Sequence, residues 1–250
     1  MTEALERLIQ YIQKYESAAV AFSGGVDSAV LSYAAMQALG ERAAAFTAAS
    51  EFMPKRIHNQ AHLTAQRMGI RHEPIFIQVL ANADIARNDE RRCYHCKKAI
   101  FTALKTAAAE KGFSTLFDGT NADDNEALRP GMAALRELGV LSPLRELSIG
   151  KKEIREIARE AKLYNRDAGP YSCLATKVRA GKPITPGALA TAEQVENVLY
   201  VAGITGFKVR LQEQGVKIEL SAEQPEELLD AARGHLQRIG ISPVEYIKTT

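Results

Sequence analysis

The stretch Ala18-Ala-Val-Ala-Phe22-Ser-Gly-Gly-Val-Asp27-Ser28 decides how this chain is read. Its short apolar run predicts a strand buried on both faces. Two glycines then permit a tight turn with the backbone close to a ligand. Ser28 to Leu39, rich in Ala and Leu and closed by Gly40, predicts a helix. A glycine turn between a buried strand and a helix start suits an anion, because free N–H groups and the helix dipole face it. Ser23 and Ser28 add hydroxyl donors. Asp27 would repel a bare phosphate and makes sense if Mg²⁺ bridges the two. The spacing is neither G-x-G-x-x-G nor G-x-x-x-x-G-K-[ST], so Rossmann dinucleotide sites and Walker NTPases fit poorly.

Outward from this turn the pattern repeats. Leu5, Leu8, Ile9 and Ile12 mark an amphipathic opening helix. Strands are expected at 43–48, 73–80 and 114–117, with helices at 54–68 and 93–111. The alternation predicts an α/β fold, a doubly wound parallel sheet covered on both faces. A further helix, 149–163, carries Ile154, Ile157, Ala158 and Ala161 on one stripe and a Lys/Arg/Glu face read as solvated. From Asn165 to Pro186 the chain is turn-rich. Beyond it come a helix (187–201), two strands (207–212 and 216–221), a helix (225–233) and a last strand (244–248). These predict a smaller C-terminal α+β domain. The expected division is 1–176 for nucleotide binding and 177–250 for substrate binding or oligomerisation.

Composition bounds the rest. The chain has 250 residues, 46% hydrophobic and 25% charged, which excludes collagen, coiled coil and disorder. A net charge of +2 is too near neutral for a generally basic nucleic-acid binder. There is no apolar run of about 18 residues, so no membrane span is expected. The acidic N-terminus is no signal peptide, and the expected location is cytoplasmic. Three cysteines, an odd number, argue against a disulfide framework.

Two further constellations carry chemistry. Asp118-Gly-Thr-Asn-Ala-Asp-Asp124 follows a strand, so a doubly wound sheet places it at the carboxyl edge beside the first loop. There Gly119 permits close approach, Asp123 and Asp124 can hold Mg²⁺, and Asn121 or Asp123 could instead cap a helix. Arg129-Pro130-Gly131 offers a cation at a helix start. Cys93 and Cys96 form a C-x-x-C pair among Arg91, Arg92, Lys97 and Lys98, a field that suits an anionic thiolate cluster, and Cys173 lies far downstream. Three thiolates are one short of a closed zinc site but sufficient for a 4Fe–4S cluster with one iron open. A redox pair, a lone Cys173 nucleophile and buried core thiols are the other readings. His58 and His62, spaced i and i+4, read as exposed helix residues without the H-E-x-x-H glutamate. His95, between the cysteines, is a lesser candidate.

S-G-G-x-D-S resembles the pyrophosphate loop of the ATP pyrophosphatase (PP-loop) superfamily. With D-G-T-N-A-D-D, R-P-G, Ser142-Pro143-Leu144 and Cys173-Leu-Ala-Thr-Lys177 following in order, the chain from about Val20 to Leu220 looks like the LarE family of ATP-dependent sulfur transferases. The resemblance implies adenylation of the carboxylates of pyridinium-3,5-biscarboxylic acid mononucleotide and their conversion to thiocarboxylates. These steps build the nickel-pincer nucleotide of lactate racemase. It assigns Ser23, Gly24, Gly25, Asp27, Ser28, Thr47, Gly119, Asn121, Asp123 and Arg129 to ATP, with Mg²⁺ on Asp27. It assigns Cys93, Cys96 and Cys173 to a 4Fe–4S cluster that delivers sulfide; in another type of the family the cysteine matching Cys173 gives up its own sulfur. Cations near Cys173 would bind the anionic nucleotide: Lys177, Arg179, Lys208 and Arg210, with Glu193 beside them. Lys177 stands where the family often has Arg, which keeps the charge and loses the bidentate fork. The family forms trimers and hexamers, so a homo-oligomer is expected; no nucleic-acid or membrane partner is, and the sulfide donor is open. Rival readings are a PP-loop tRNA thiolase with a three-cysteine cluster, an amide-forming ligase of NAD synthetase type, and a non-catalytic nucleotide binder.

Overall fold

The computed structural model describes residues 1–125, 130–169 and 171–248. In chain order the first elements are α1 (Glu3–Ile12), β1 (Ala18–Ala21), α2 (Val26–Leu39), β2 (Ala43–Ser50), α3 (Lys55–Met68) and β3 (Arg71–Ile77). There follow α4 (Ala83–Ala86), α5 (Arg92–Glu110), β4 (Thr115–Phe117), α6 (Gly131–Glu137), α7 (Pro143–Glu146) and α8 (Lys151–Glu160). The last are α9 (Pro186–Val201), β5 (Phe207–Leu211), β6 (Val216–Leu220), α10 (Glu226–Arg238) and β7 (Val244–Lys248). The chain divides into two compact units, one of residues 1–79 and 91–171, the other of 80–90 and 172–250. The division expected from sequence fell at 176/177; here the second unit begins at Ser172 and also takes in the segment from Leu80 to Glu90. That excursion has a clear cause within its unit. The Asn88 amide donates to the carbonyls of Arg179 and Lys182, both at 2.9 Å, and Ile184 N donates to Ala86 O at 2.8 Å.

The first unit carries a parallel sheet in the order β3-β2-β1-β4, as the alternation of strands and helices predicted. β1 and β2 are alanine-rich and almost wholly buried, which lets helices approach both faces closely. On one face α1, α2, α3 and α8 enclose Leu8, Ile12, Val20, Leu31, Phe117, Ile154 and Ile157. On the other, α5 and α6 close over Phe46, Phe101, Leu104, Leu116 and Leu135. α2 is buried around most of its circumference, as a central helix wedged among neighbours must be.

Two boundaries differ from the sequence reading. β3 runs two residues earlier than expected because its register against β2 extends from Ala44↔Arg71 to Ser50↔Ile77. It then leaves the sheet where Glu51 Oε2 accepts from Val79 N at 2.9 Å. α10 continues past Gly234 to Arg238. A mid-helix glycine costs about 1 kcal/mol, and burying Leu236 completely in the next turn outweighs it.

In the second unit β5 pairs antiparallel with β6, and β7 pairs parallel with β6 after the α10 crossover. Val209, Ile218, Leu220, Val195, Leu199 and Leu236 form its core. This is the small α+β unit expected from sequence. No helix among the described residues is long and apolar enough to cross a membrane.

Candidate functional site

β1 is where the sheet changes direction. β2 and β3 lie to one side of it and β4 to the other, so the loops after β1 and β4 open a crevice at the carboxyl edge. Ser23 to Ser28 fill one lip and Asp118 to Asp124 the other. The loops touch at Gly119: a Cβ there would lie 3.1 Å from Ser28 N and 3.3 Å from its Cα. Gly24 takes φ +77°, and a Cβ on it would lie 2.9 Å from Cα and Cβ of Ala61 on α3. These two positions require glycine for different reasons, conformation with close packing at Gly24 and backbone approach at Gly119.

The serines knit the loop from within. Ser28 Oγ donates to Gly25 O at 3.0 Å and accepts from Ser23 N at 3.3 Å. Gly25 N donates to Ser23 Oγ at 3.3 Å. Asp27 Oδ2 accepts from the Asn121 amide at 2.9 Å and from Lys151 Nζ at 2.6 Å. Its Oδ1 takes no hydrogen bond among the described residues, which leaves a carboxylate oxygen for a hard cation such as Mg²⁺. The other carboxylates of the second loop have local duties. Asp123 accepts from Lys151 N at 2.6 Å and so caps α8, Asp124 accepts from Asn121 N at 3.2 Å, and the buried Asp118 receives the hydroxyls of Thr120 and Ser142.

Known proteins resemble this chain along most of its length. The family model for NAD synthase matches residues 1–104, which include the phosphate loop. An uncharacterised protein of Synechocystis is 35% identical over 234 residues, 93% of this chain and 87% of that protein. The pyridinium-3,5-bisthiocarboxylic acid mononucleotide synthase of Lactiplantibacillus plantarum is 27% identical over 237 residues, 93% of this chain and 86% of that enzyme. An uncharacterised protein of Methanocaldococcus jannaschii is 32% identical over 187 residues, 74% and 70% of the two chains. The chain belongs to the LarE family. It is an ATP-using enzyme of the PP-loop class, and Mg²⁺ accompanies ATP there.

The remaining residues that the LarE resemblance singled out are distributed as follows. Cys93 and Cys96 open α5 one turn apart, on one side of the helix; Cys93 is exposed and Cys96 half-buried. Arg92 Nη2 donates to Cys93 Sγ at 3.4 Å. Gly131 of the R-P-G segment lets α6 close on this turn, since a Cβ would meet Lys97 Cδ at 2.8 Å and Cys93 O at 3.3 Å. Arg129 lies outside the described residues. His95 stacks edge-on against Tyr94. Cys173, half-buried, belongs to the second unit, where it precedes a short 3₁₀ turn, Leu174–Lys177; its carbonyl accepts from Thr176 Oγ1 at 2.7 Å. Three thiols are the right soft donors for an iron–sulfur cluster. Among the described residues, however, no group of three His, Cys, Asp or Glu is gathered as a metal site.

Two expected ligand-binding side chains are committed elsewhere. Thr47 is fully buried; its hydroxyl donates to Phe22 O at 2.7 Å and so accepts from His72 Nε2 at 2.8 Å. Lys177 is turned inward. Its ammonium contacts Glu196 at 3.0 Å and Ser172 Oγ at 3.0 Å, with the paired side chains 5% and 3% exposed. Arg210 donates to Thr176 O at 3.1 Å and pairs with Glu219, while Arg179 and Lys208 are exposed and Glu193 sits midway along α9.

Sequence reasoning missed Lys151, which it placed on a solvated helix face. A signal was present: Lys151 and Lys152 begin a helix, where the dipole disfavours cations unless an anion lies nearby. The histidines form a group that was also missed. His62 Nδ1 and His72 Nδ1 are 3.3 Å apart, with His58 near enough to act on His72 electrostatically.

Burial, then the neighbouring His62 and His58, depress the His72 pKa to about 4, against a smaller opposing pull from Glu73. The fold therefore favours neutral His72. That contribution is complete above the unfolded value near 6.5 and is lost as pH falls toward 4, roughly 2 kcal/mol after allowance for solvent screening. Thermal unfolding measured from pH 7 to 4 should show this loss, and His72→Gln should flatten it. Lys177→Ala, which strands Glu196 inside the second unit, should destabilise that unit by about 3–5 kcal/mol in urea unfolding. An unchanged midpoint would show that the pair carries no such weight.

Proposed function

We propose that this LarE-family chain uses ATP to convert the carboxylates of an anionic pyridinium mononucleotide into thiocarboxylates. One observation carries the reading: a phosphate loop and an Asp27–Asn121–Lys151 cluster meet at the switch point of a chain that also holds three cysteines. The substrate class is that of the similar Lactiplantibacillus synthase, as its name states.

A carboxylate is a poor electrophile, and adenylation gives it a leaving group. A substrate carboxylate oxygen attacks the α-phosphorus of ATP, the bond from that phosphorus to the bridging oxygen breaks, and pyrophosphate departs with both electrons. Ser23, Ser28 and the N–H groups opening α2 receive the charge gathering on pyrophosphate. Asp27 would hold Mg²⁺, which supplies charge neutralisation across the phosphates. Lys151, tied to Asp27, keeps the carboxylate aimed into the crevice and adds a second cation. Cys93, Cys96 and Cys173 would hold a 4Fe–4S cluster, which when bound supplies sulfide as a soft nucleophile. Sulfur bonds to the acyl carbon, the carbon–oxygen bond to AMP breaks, and AMP leaves. Arg179, Lys208 and Arg210 of the second unit would neutralise the substrate phosphate.

The match to NAD synthase covers only residues 1–104, which hold the phosphate loop, so it does not carry ammonia chemistry to this chain. Anaerobically prepared protein should be brown and hold about four irons. Asp27→Ala should lower acid-dependent pyrophosphate release at least about a hundredfold and leave iron content unchanged. Each Cys→Ala variant should lose iron and sulfur transfer while pyrophosphate release survives. Ammonia-dependent product formation by the triple cysteine variant would instead establish an amide-forming ligase. Loss of H₂S mass from Cys173 after one turnover would show sacrifice of its own sulfur.

A further inference from the structure

Asn165 lies 141 positions beyond the phosphate loop, yet its side chain reaches it: Nδ2 donates to Gly24 O at 2.7 Å. The residue is 3% exposed, and its Oδ1 is buried without a hydrogen-bond partner among the described residues. A buried acceptor left unpaired costs about 1–3 kcal/mol, so the amide is not explained as a fully satisfied core group. The amide has one visible duty, which is the bond to Gly24.

That duty bears on ATP. In a trans peptide the C=O and N–H point in opposite directions. Holding Gly24 O toward Asn165 therefore turns Gly25 N–H the other way, toward Ser23 Oγ at 3.3 Å, on the inner side of the loop. Gly24 at φ +77° cannot set this orientation by itself, because glycine adopts left- and right-handed backbone with similar ease. The loop needs an external restraint if its donors are to face the phosphates before ATP arrives.

We propose that Asn165 is a positioning residue that locks the Gly24–Gly25 peptide in its phosphate-accepting orientation. It touches neither ATP nor the acyl acceptor; it acts through the loop. The proposal depends on ATP binding alone, so it stands or falls apart from the identity of the acid substrate and of the sulfur source.

The test compares Asn165→Leu, Asn165→Ala and Asn165→Gln with the parent protein. The readouts are equilibrium binding of Mg·ATP and of adenosine, and the thermal midpoint. Leu keeps the approximate shape and removes both the donor and the unpaired acceptor. The expected result is Mg·ATP affinity about tenfold weaker in the Leu and Ala variants, with adenosine within twofold of the parent. The Leu variant trades the unpaired Oδ1 for an unpaired Gly24 O, so its thermal midpoint should stay close to that of the parent. Gln, which restores a donor on a longer arm, should recover part of the ATP affinity, because the side chain borders an open cavity lined by Asn59, Gln60, Leu63 and Tyr164. Parent-like ATP binding by the Leu variant would overturn the proposal. So would equal loss of ATP and adenosine accompanied by a lowered midpoint, which marks Asn165 as a structural residue only.

Discussion

The contact between Gly119 and Ser28 is the constraint on which the proposed ATP site rests. Four parallel strands leave one place where successive crossovers depart to opposite sides, and the two loops that leave it must pass at backbone distance. A Cβ at position 119 would press on the start of α2, which would have to give by a few tenths of an ångström. With the loops in contact, Asn121 reaches Asp27, and Lys151 reaches it from the first turn of α8. Donors and charges are thus arranged before the nucleotide arrives, which is how a site stabilises developing negative charge without reorganising.

The acidic residues around this crevice look alike in sequence and divide sharply in the fold. Asp118, Asp123 and Asp124 take hydrogen bonds that hold the second loop and the start of α8. Asp27 is held instead by two side chains from distant segments, Asn121 and Lys151. Basic residues divide in the same way. Lys151 meets the phosphate-loop aspartate, whereas Lys177 is withdrawn into a buried pair with Glu196 and binds Ser172, the neighbour of Cys173. A buried ion pair of this kind adds little net stability but makes the local arrangement specific, since breaking it strands a charge.

Much of this was legible in the residues. The Ala-rich run, the paired glycines and the helix start announced a strand, a tight loop and a helix, because each depends on local conformational preference. The order of strands and helices announced a parallel sheet. Other features were not legible because they depend on distant partners. Thr47 was expected to face ATP, but its hydroxyl is spent between Phe22 and His72, two segments that pairing with neighbouring strands brings together. The residues between the expected strand 73–80 and helix 93–111 carried no sequence motif, and the bonds of Asn88 and Ala86 tie them to the second unit.

The amino-acid order by itself determined which residues can turn tightly, which runs must be buried, and which side chains could carry phosphate or sulfur chemistry. Those properties follow from backbone sterics, hydrophobic periodicity and functional-group type, all of them local. Tertiary structure alone decided the pairings within each type: Lys151 as the cation on Asp27, and Asn165 as the anchor of Gly24. Hydrogen bonds and ion pairs act over a few ångströms, and residues more than a hundred positions apart reach that range only when the sheet and its helices have packed.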